Sequence, residues 1–225
     1  MDSSKQIIEH LKSIANNDIA EKSKYFGVKA DNILGISSPE LRNIAKKIKT
    51  NHSLALELWK EDCHEAKMLS TIIADKKKIT KKEIDTWAAD FDSWDIVDGA
   101  CYNLIRYTEF YDDIIFEYCK SQEEYIRRTS FALIAGLAVG RKDIKDEEFL
   151  KYLPLIEEYS FDNRNFVWKA VNWALRQIGK RSQELYSYAL ALSEKLSNSE
   201  NPVQRKIGKG AYRELKDEKI IARIK

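Results

Sequence analysis

The scarcity of turn-forming residues is the feature that most restricts the fold of this chain. Only eight glycines and three prolines occur in 225 residues, so few positions interrupt long stretches in which apolar residues recur with a helical period. A β-rich fold would need alternating apolar and polar runs bounded by glycine or Asn-Gly turns, and no such run persists. The sequence therefore predicts an all-α protein.

Helix-start signals and amphipathic stretches locate the expected helices. Ser38 is expected to cap a helix with Pro39 at its first position. Thr80 and Glu83 have the spacing of a capping box, and Ser93 is a candidate cap for the helix that follows it. The remaining helices are predicted over residues 4–15, 54–59, 65–74, 111–120, 122–139, 146–159, 163–180, 182–197, 202–215 and 217–224.

A weak repeat organises these helices. The segments that begin near residues 93, 123, 163 and 202 recur at intervals of about 30–40 residues, and each has a partner helix. That period is typical of stacked helix pairs of the HEAT or armadillo kind. We expect a single domain over residues 1–225, an α-solenoid of antiparallel helix pairs with one helix layer on a concave, basic face.

Composition limits the possible ligands. The net charge is only +2, so a nucleic-acid site would require lysine and arginine to be segregated onto one surface. Cys63, Cys101 and Cys119 have neither disulfide nor zinc-ligand spacing, and we expect no metal and no cofactor. No segment reads as a signal peptide or a membrane span. The default expectation is a soluble protein of a reducing, cytoplasmic compartment.

Basic residues recur on three candidate inner helices. A solvated helix face is the ordinary interpretation of one such run, but three successive runs favour contact with phosphates. The runs are Arg127 and Arg128; then Lys169, Arg176, Lys180 and Arg181; then Arg205, Lys206, Lys209 and Arg213.

Two tryptophans accompany charged residues at one-turn spacing. Trp94 and Asp98 would share a helix face, and Trp173 precedes Arg176 on a later helix. An anion between indoles and ringed by cations suits a cationic group on a polyanion, such as alkylated DNA.

Structural roles for the same residues remain open at this point. Tryptophans on helices are more often core, which we expect for Trp59, Trp87 and Trp168. Asp98 could instead be a surface carboxylate or the partner of Arg106. Asp95 is a competing acid three residues earlier.

Four blocks of the chain stand out in order: Leu34-Gly35-Ile36-Ser37-Ser38-Pro39-Glu40-Leu41-Arg42, Ser93-Trp94-Asp95-Ile96-Val97-Asp98, Ile126-Arg127-Arg128 and Trp173-Ala174-Leu175-Arg176. In order and spacing, these blocks resemble the AlkD-type DNA alkylation repair family, the HEAT-like-repeat DNA glycosylases.

The resemblance implies roles for individual residues. Asp98 matches the catalytic aspartate, and Trp94 and Trp173 match the tryptophans that hold the backbone of the lesion nucleotide. Arg128 and Arg176 match basic residues close to the DNA, and Tyr25 matches an aromatic near the same site. The resemblance further implies that the base is not flipped out. We also expect a monomer, because a DNA clamp of this kind is self-sufficient, acting on alkylated double-stranded DNA and associated with the nucleoid.

The implied chemistry suits these residue types. A purine alkylated at N3 or N7 leaves as a neutral base, while positive charge builds on the sugar. A carboxylate at ~4 Å contributes at most ~4 kcal/mol at an effective dielectric near ~20, which limits the gain to about a thousandfold. No lysine is obviously placed for a Schiff base, so we expect a monofunctional glycosylase that leaves an abasic site.

Two other functions are compatible with the sequence. The chain could be a non-catalytic HEAT-repeat protein that binds damaged or branched DNA through the same basic surface. It could also be a protein-binding scaffold, a common use of helical repeats. Release of an alkylated base, salt-sensitive DNA binding, or neither would distinguish the three hypotheses.

Overall fold

The computed structural model describes residues 3–28 and 32–224. Within these residues every regular element is a helix, which confirms the all-α prediction, and none is long and apolar enough to cross a membrane. The chain divides into two compact units, the first ending at Tyr111 and the second beginning at Asp112. The single-domain expectation stays a prediction.

The first unit is built around α5. This helix packs against α1, α3, α4 and α7, and the apolar faces enclose fully buried residues such as Leu58, Leu69 and Ile96. Its helices are α1 (Ser4–Ser13), α2 (Asn17–Tyr25), α3 (Ser38–Ile48), α4 (His52–Trp59), α5 (His64–Ile73), α6 (Lys81–Ala89) and α7 (Trp94–Asn103), followed by a 3-10 helix (Ile105–Tyr107).

The second unit contains a row of three long helices with partners behind them. Helix α11 packs between α9 and α13, while α12 contacts α10, α11 and α13. Its elements are α8 (Tyr111–Tyr118), which begins at the boundary, α9 (Glu124–Gly140), a 3-10 helix (Asp146–Phe149), α10 (Tyr152–Tyr159), α11 (Asn165–Gly179), α12 (Gln183–Ser197), α13 (Pro202–Leu215) and α14 (Glu218–Ile221).

Neighbouring helix pairs are joined by hydrogen bonds between residues that lie about one repeat apart in the sequence. In the first unit, Trp59 Nε1 donates to Asp90 Oδ2 at 3.1 Å, 31 residues away. In the second, Asn172 Nδ2 donates to the carbonyl of Ile207 at 2.8 Å, 35 residues away. These contacts fit the HEAT-like arrangement that the period of the sequence predicts.

A buried carboxylate holds the segment before α3. Glu65, on α5, is 2% exposed and accepts from the backbone N–H groups of Leu34, Gly35 and Ile36 at 2.9, 2.6 and 3.2 Å. Three charge-assisted hydrogen bonds offset the cost of burying the charge. The burial of the Glu65 carboxylate is therefore explained by its structural role.

Close helix contact in the second unit depends on Gly208. A Cβ built on Gly208 would lie 2.1 Å from the backbone nitrogen of Ser197 and 2.7 Å from the carbonyl oxygen of Ser193. Only a residue without a side chain lets α13 approach the backbone of α12 this closely.

Several helix boundaries differ from the predicted ones. Helix α2 was not predicted. Ser37, rather than Ser38, caps α3, because its hydroxyl accepts from the N–H of Glu40 at 3.4 Å. The capping box of Thr80 and Glu83 is confirmed. The predicted helix over 146–159 is a 3-10 turn followed by α10, and the one over 217–224 is reduced to α14.

Candidate functional site

The candidate catalytic acid lies on a partly exposed stripe of α7. Trp94, Asp98 and Tyr102 follow one another at intervals of one turn and are all partly exposed. The opposite face, including Ile96 and Val97, is fully buried against the core. The predicted one-turn arrangement of indole and carboxylate is therefore present.

An exposed aromatic pair lies beside Trp94. The indole Nε1 of Trp94 donates to the carbonyl oxygen of Phe26 at 3.2 Å. Gly27, with a φ of 88°, ends α2 and turns the chain, which leaves Tyr25 85% and Phe26 59% exposed. Their rings meet edge to face at 5.4 Å. Tyr25 thus lies next to the predicted site, and Phe26 is a candidate that the sequence reasoning missed; adjacent aromatics before a glycine were the available signal.

A cation and an acid flank Tyr102. Burial raises the pKa of Tyr102, and the carboxylate of Asp98 raises it further. The guanidinium of Arg106, 4.6 Å from the ring centroid of Tyr102, acts in the opposite direction and lowers that pKa. Arg106 belongs to the 3-10 helix after α7, not to α7 itself. Acid, ring and cation therefore follow one another along the exposed side.

The competing acid, Asp95, is engaged in structure. His64 Nε2 lies 2.9 Å from Asp95 Oδ2, while Ser93 Oγ and the N–H of Ile96 donate to Oδ1 at 2.7 and 3.0 Å. Burial favours the neutral carboxyl, but hydrogen bonds from His64 and Ser93 outweigh it and lower the pKa of Asp95. Ser93 thus precedes α7 as predicted, although its hydroxyl binds a side chain instead of a backbone N–H. These contacts give Asp95 a structural role, which favours Asp98 as the candidate catalytic acid.

The predicted basic residues of α11 form a second stripe, around Trp173. In the amide orientation that satisfies both of its polar atoms, Gln177 accepts from Trp173 Nε1 and from Lys180 Nζ, each at 3.1 Å. Residues at these spacings lie along one side of a helix. The partly or fully exposed members of the stripe are Lys169, Trp173, Arg176, Gln177 and Lys180.

An internal acid neutralises part of this stripe. Glu214, on α13, forms ion pairs with Arg176 and with Lys180, the latter at 2.6 Å. Partial burial would raise the pKa of Glu214, but the hydrogen bonds from Lys180 and Arg176 outweigh that effect and lower it. A DNA phosphate that approached either cation would compete with Glu214.

The arginines of α9 are buried. Arg127 is 7% exposed and pairs with Asp162 at 2.6 Å, and Arg128 is 5% exposed and donates to the carbonyl oxygen of Phe166 at 2.8 Å. These bonds connect α9 to the segment that begins α11. The proximity of Arg128 to DNA stays a prediction, and its contacts here show how it positions α11.

Helix α13 contributes cations of two kinds. Lys209 and Arg213 are exposed, whereas Arg205 is partly buried and donates to the carbonyl oxygens of Ser199 and Glu200. On the neighbouring helix, Lys169 is exposed beside Trp168. The carbonyl contacts of Arg205 and the ring contact of Lys169 bring no negative charge to these two cations.

The other tryptophans divide into two groups. Trp59 and Trp87 are 3% and 4% exposed, and their rings stack at 4.2 Å, which confirms that they belong to the core. Trp168 is only partly buried, and the ammonium of Lys206 lies 3.7 Å from its ring centroid. The expectation that Trp168 is a core residue is therefore wrong.

Architecture and comparison place the chain in a known family. The described residues form an all-α protein of HEAT-like repeats. The chain belongs to the DNA alkylation repair enzyme family, whose model matches residues 7–202. Among curated proteins no sequence matches.

Solved structures resemble the chain in fold. One belongs to a family of proteins related to the HEAT-like repeat DNA glycosylases, with affinity for branched DNA structures; it is 19% identical, aligns over 94% of this chain and 95% of its own, and has a TM-score of 0.76. A designed armadillo repeat protein is 16% identical over 93% of this chain and 98% of its own, with a TM-score of 0.44.

Proposed function

We propose that the protein is a DNA N-glycosylase that removes cationic N3- or N7-alkylpurines from duplex DNA and leaves an abasic site. Membership of the DNA alkylation repair family supports a role in DNA repair. The observation that carries the finer proposal is the stripe of α7, where Asp98 lies one turn from Trp94 and one turn from Tyr102.

In the proposed mechanism, Asp98 acts on charge that develops during the reaction. The alkylated base leaves neutral, so attraction between the carboxylate and the sugar increases toward the oxocarbenium-like transition state. Asp98 also orients or deprotonates the attacking water. The indole faces of Trp94 and Trp173 are proposed to hold the cationic lesion nucleotide from the backbone side, each contributing ~0.5–2 kcal/mol.

The remaining predicted residues are proposed to hold the DNA. Exposed cations bind phosphates without reading sequence. We assign this role to Lys169, Lys209 and Arg213, which are exposed, and to Arg176, Lys180, Arg205 and Arg128, whose present partners are acids or carbonyls of the protein itself. Tyr25 and Phe26 are proposed to contact the strand beside Trp94.

Release of 7-methylguanine from methylated duplex DNA tests the proposal. We expect Asp98→Asn to slow release by up to about a thousandfold, because it removes the only proposed catalytic charge. Asp92→Asn is the matched control, since Asp92 is an exposed acid just before α7. Equal release by Asp98→Asn and the wild type would remove Asp98 from the mechanism. Strand nicking without added base would contradict a monofunctional reaction.

A second candidate function is non-catalytic binding of branched DNA. It is favoured by the structural likeness to a protein with affinity for branched DNA structures. This function predicts no base release by the wild type, together with tighter binding to a four-way junction than to a linear duplex of equal length.

A further inference from the structure

A loop of the first unit concentrates positive charge outside the residues considered so far. The stretch from Lys76 to Lys82 holds five lysines in seven residues. We name Lys76, Lys77 and Lys78 the lysine loop; all three are exposed, and within residues 3–28 and 32–224 no carboxylate lies within ion-pair distance of them. By contrast, Lys81, at the start of α6, is paired with Asp85.

The backbone of the lysine loop is fixed. Asp75 Oδ1 accepts from the N–H of Lys77 at 2.9 Å, and the carbonyl oxygen of Asp75 accepts from the N–H groups of Lys78 and Ile79 at 3.1 and 3.0 Å. Ile79 is 3% exposed and anchors the end of the turn in the core. Three adjacent ammonium groups are thus displayed from a preorganised turn, which lowers the entropy cost of binding an anion.

An aromatic ring gathers two cations next to the loop. The ammonium of Lys76 lies 3.7 Å and the guanidinium carbon of Arg106 lies 4.8 Å from the ring centroid of Tyr107. Arg106 also donates to the hydroxyl oxygen of Tyr107 at 2.7 Å. A neutral ring attracts both cations and adds no negative charge of its own to the cluster.

A groove of 460 Å³ opens at this cluster. It is lined by the lysine loop, by Thr80 and by residues 107–110. Glu109 is the acid in its lining, so the positive side chains outnumber the negative ones. The groove is polar and open, which suits a charged backbone better than an apolar side chain.

The cluster continues the stripe that carries Asp98. Arg106 stacks on Tyr102, which follows Asp98 by one turn on α7. Asp98 and Tyr102 are separated by about 6 Å along the helix axis, roughly two base pairs of duplex length. A strand that passes Asp98 and follows α7 toward its C-terminus therefore reaches Arg106, Tyr107 and then the lysine loop.

We propose that the lysine loop and the Arg106–Tyr107 pair bind the phosphates of the DNA strand that leads away from Asp98. The proposal rests on the proposed function only in that DNA is the partner. It assigns the three exposed lysines of the loop, which have no carboxylate within ion-pair distance in the described part of the chain, to backbone contact that is independent of sequence.

Salt-dependent binding of undamaged duplex DNA tests this assignment. We compare the wild type with Lys76→Gln/Lys77→Gln/Lys78→Gln by fluorescence anisotropy between about 50 and 200 mM salt. If two of the lysines contact phosphate, the slope of log K against log salt falls by about 2, and affinity at ~0.1 M salt falls about 60-fold. Thermal melting of the same samples reports folding, which should change little, because the three lysines are exposed and only the contact of Lys76 with Tyr107 is lost.

A charge-matched control comes from the same unit. Lys5, Lys12 and Lys60 are exposed and lie outside α7 and the loop, so their replacement by glutamine changes net charge equally but removes no proposed contact. A slope in the loop variant equal to those of the wild type and the control would overturn the proposal and favour an acidic protein segment as the ligand of the loop.

Base release measured on the same samples separates this proposal from the glycosylase one. A wild type that releases no base while the loop variant loses its salt slope refutes catalysis and supports the loop contact. Normal release by the wild type with an unchanged slope in the variant supports catalysis and refutes the loop contact.

Discussion

Replacing Glu214 by glutamine should tighten DNA binding while weakening the fold. Glu214 forms ion pairs with Arg176 and Lys180, two residues proposed to bind phosphate. If these cations bind phosphate as proposed, the carboxylate of Glu214 competes with it in the free protein. Glutamine keeps the size of the side chain and removes its charge, so both cations become available to DNA.

The size of each effect follows from the geometry. Removing one internal anion adds about one effective phosphate contact, which steepens the salt slope by about 0.9 and tightens binding about eightfold at ~0.1 M salt. The side chains of Arg176 and Glu214 are 27% and 26% exposed, so the ion pairs are only partly screened. Their loss, with two like charges left side by side, should cost about 1 to 2 kcal/mol and lower Tm by about 2 to 8 °C.

The test is specific because Glu214→Gln should tighten DNA binding while it lowers Tm. Glu194→Gln is the control, because Glu194 is exposed on α12 and makes no side-chain ion pair in the described part of the chain. It should change neither Tm nor the salt slope appreciably. If Glu214→Gln lowered both stability and DNA affinity, or left affinity at the level of Glu194→Gln, Arg176 and Lys180 would not be phosphate ligands, and their role would be to bind α13.

Two further predictions concern the fold around the site. Burial lowers the pKa of His64, but the hydrogen bond and charge of Asp95 outweigh burial and raise that pKa above its usual value. The ion pair of His64 with Asp95 therefore stabilises the fold fully below about pH 6.5, and this stabilisation is lost as pH rises through the raised pKa. His64→Asn should therefore lose about 2 kcal/mol near pH 6 and less near pH 9; equal Tm deficits at both would contradict this. Gly208→Ala should cost ~3 kcal/mol or prevent folding, because its Cβ meets the backbone at Ser197. Gly210→Ala, whose Cβ would lie 3.3 Å from the side-chain nitrogen of Asn172, should change the free energy of urea unfolding by no more than ~1 kcal/mol, because only that side chain must shift.

Helices with a strong apolar period were predictable, whereas α2 was not. Residues Asn17–Tyr25 bury only Ala20, so the segment has little amphipathic signal. It is a helix because Asn16 caps it, accepting from the N–H groups of Asp18 and Ile19 at 3.0 and 3.2 Å, and because Gly27 ends it. A short polar helix defined by its caps is easily taken for a loop when the search follows hydrophobic periodicity.

The residue types of the candidate site were predictable, but the partners of its cations were not. The sequence places Arg176 and Lys180 on one side of α11, yet their acid is 38 and 34 residues away, on a helix reached only through the fold. In the same way, Arg127 and Arg128 read as exposed cations, although both are buried at the start of α9. The sequence reasoning did not single out the run of lysines in the lysine loop, and only its contact with Tyr107 connects it to the stripe that carries Asp98.

The neutralisation of some cations and not others implies a division of roles in DNA binding. At Arg176 and Lys180 the proposed phosphate contact would replace the ion pairs with Glu214, so the net gain would be the difference between two ion pairs. At the lysine loop the proposed contact would displace no carboxylate of the described residues, so the whole contact would contribute to affinity. General affinity and its salt dependence should therefore come mainly from the lysine loop, while the contacts around Trp173 respond to a ligand only when it competes successfully with Glu214. Such competition favours a distorted or cationic lesion over ordinary duplex, because the extra attraction of the indoles to a positive charge is available only there.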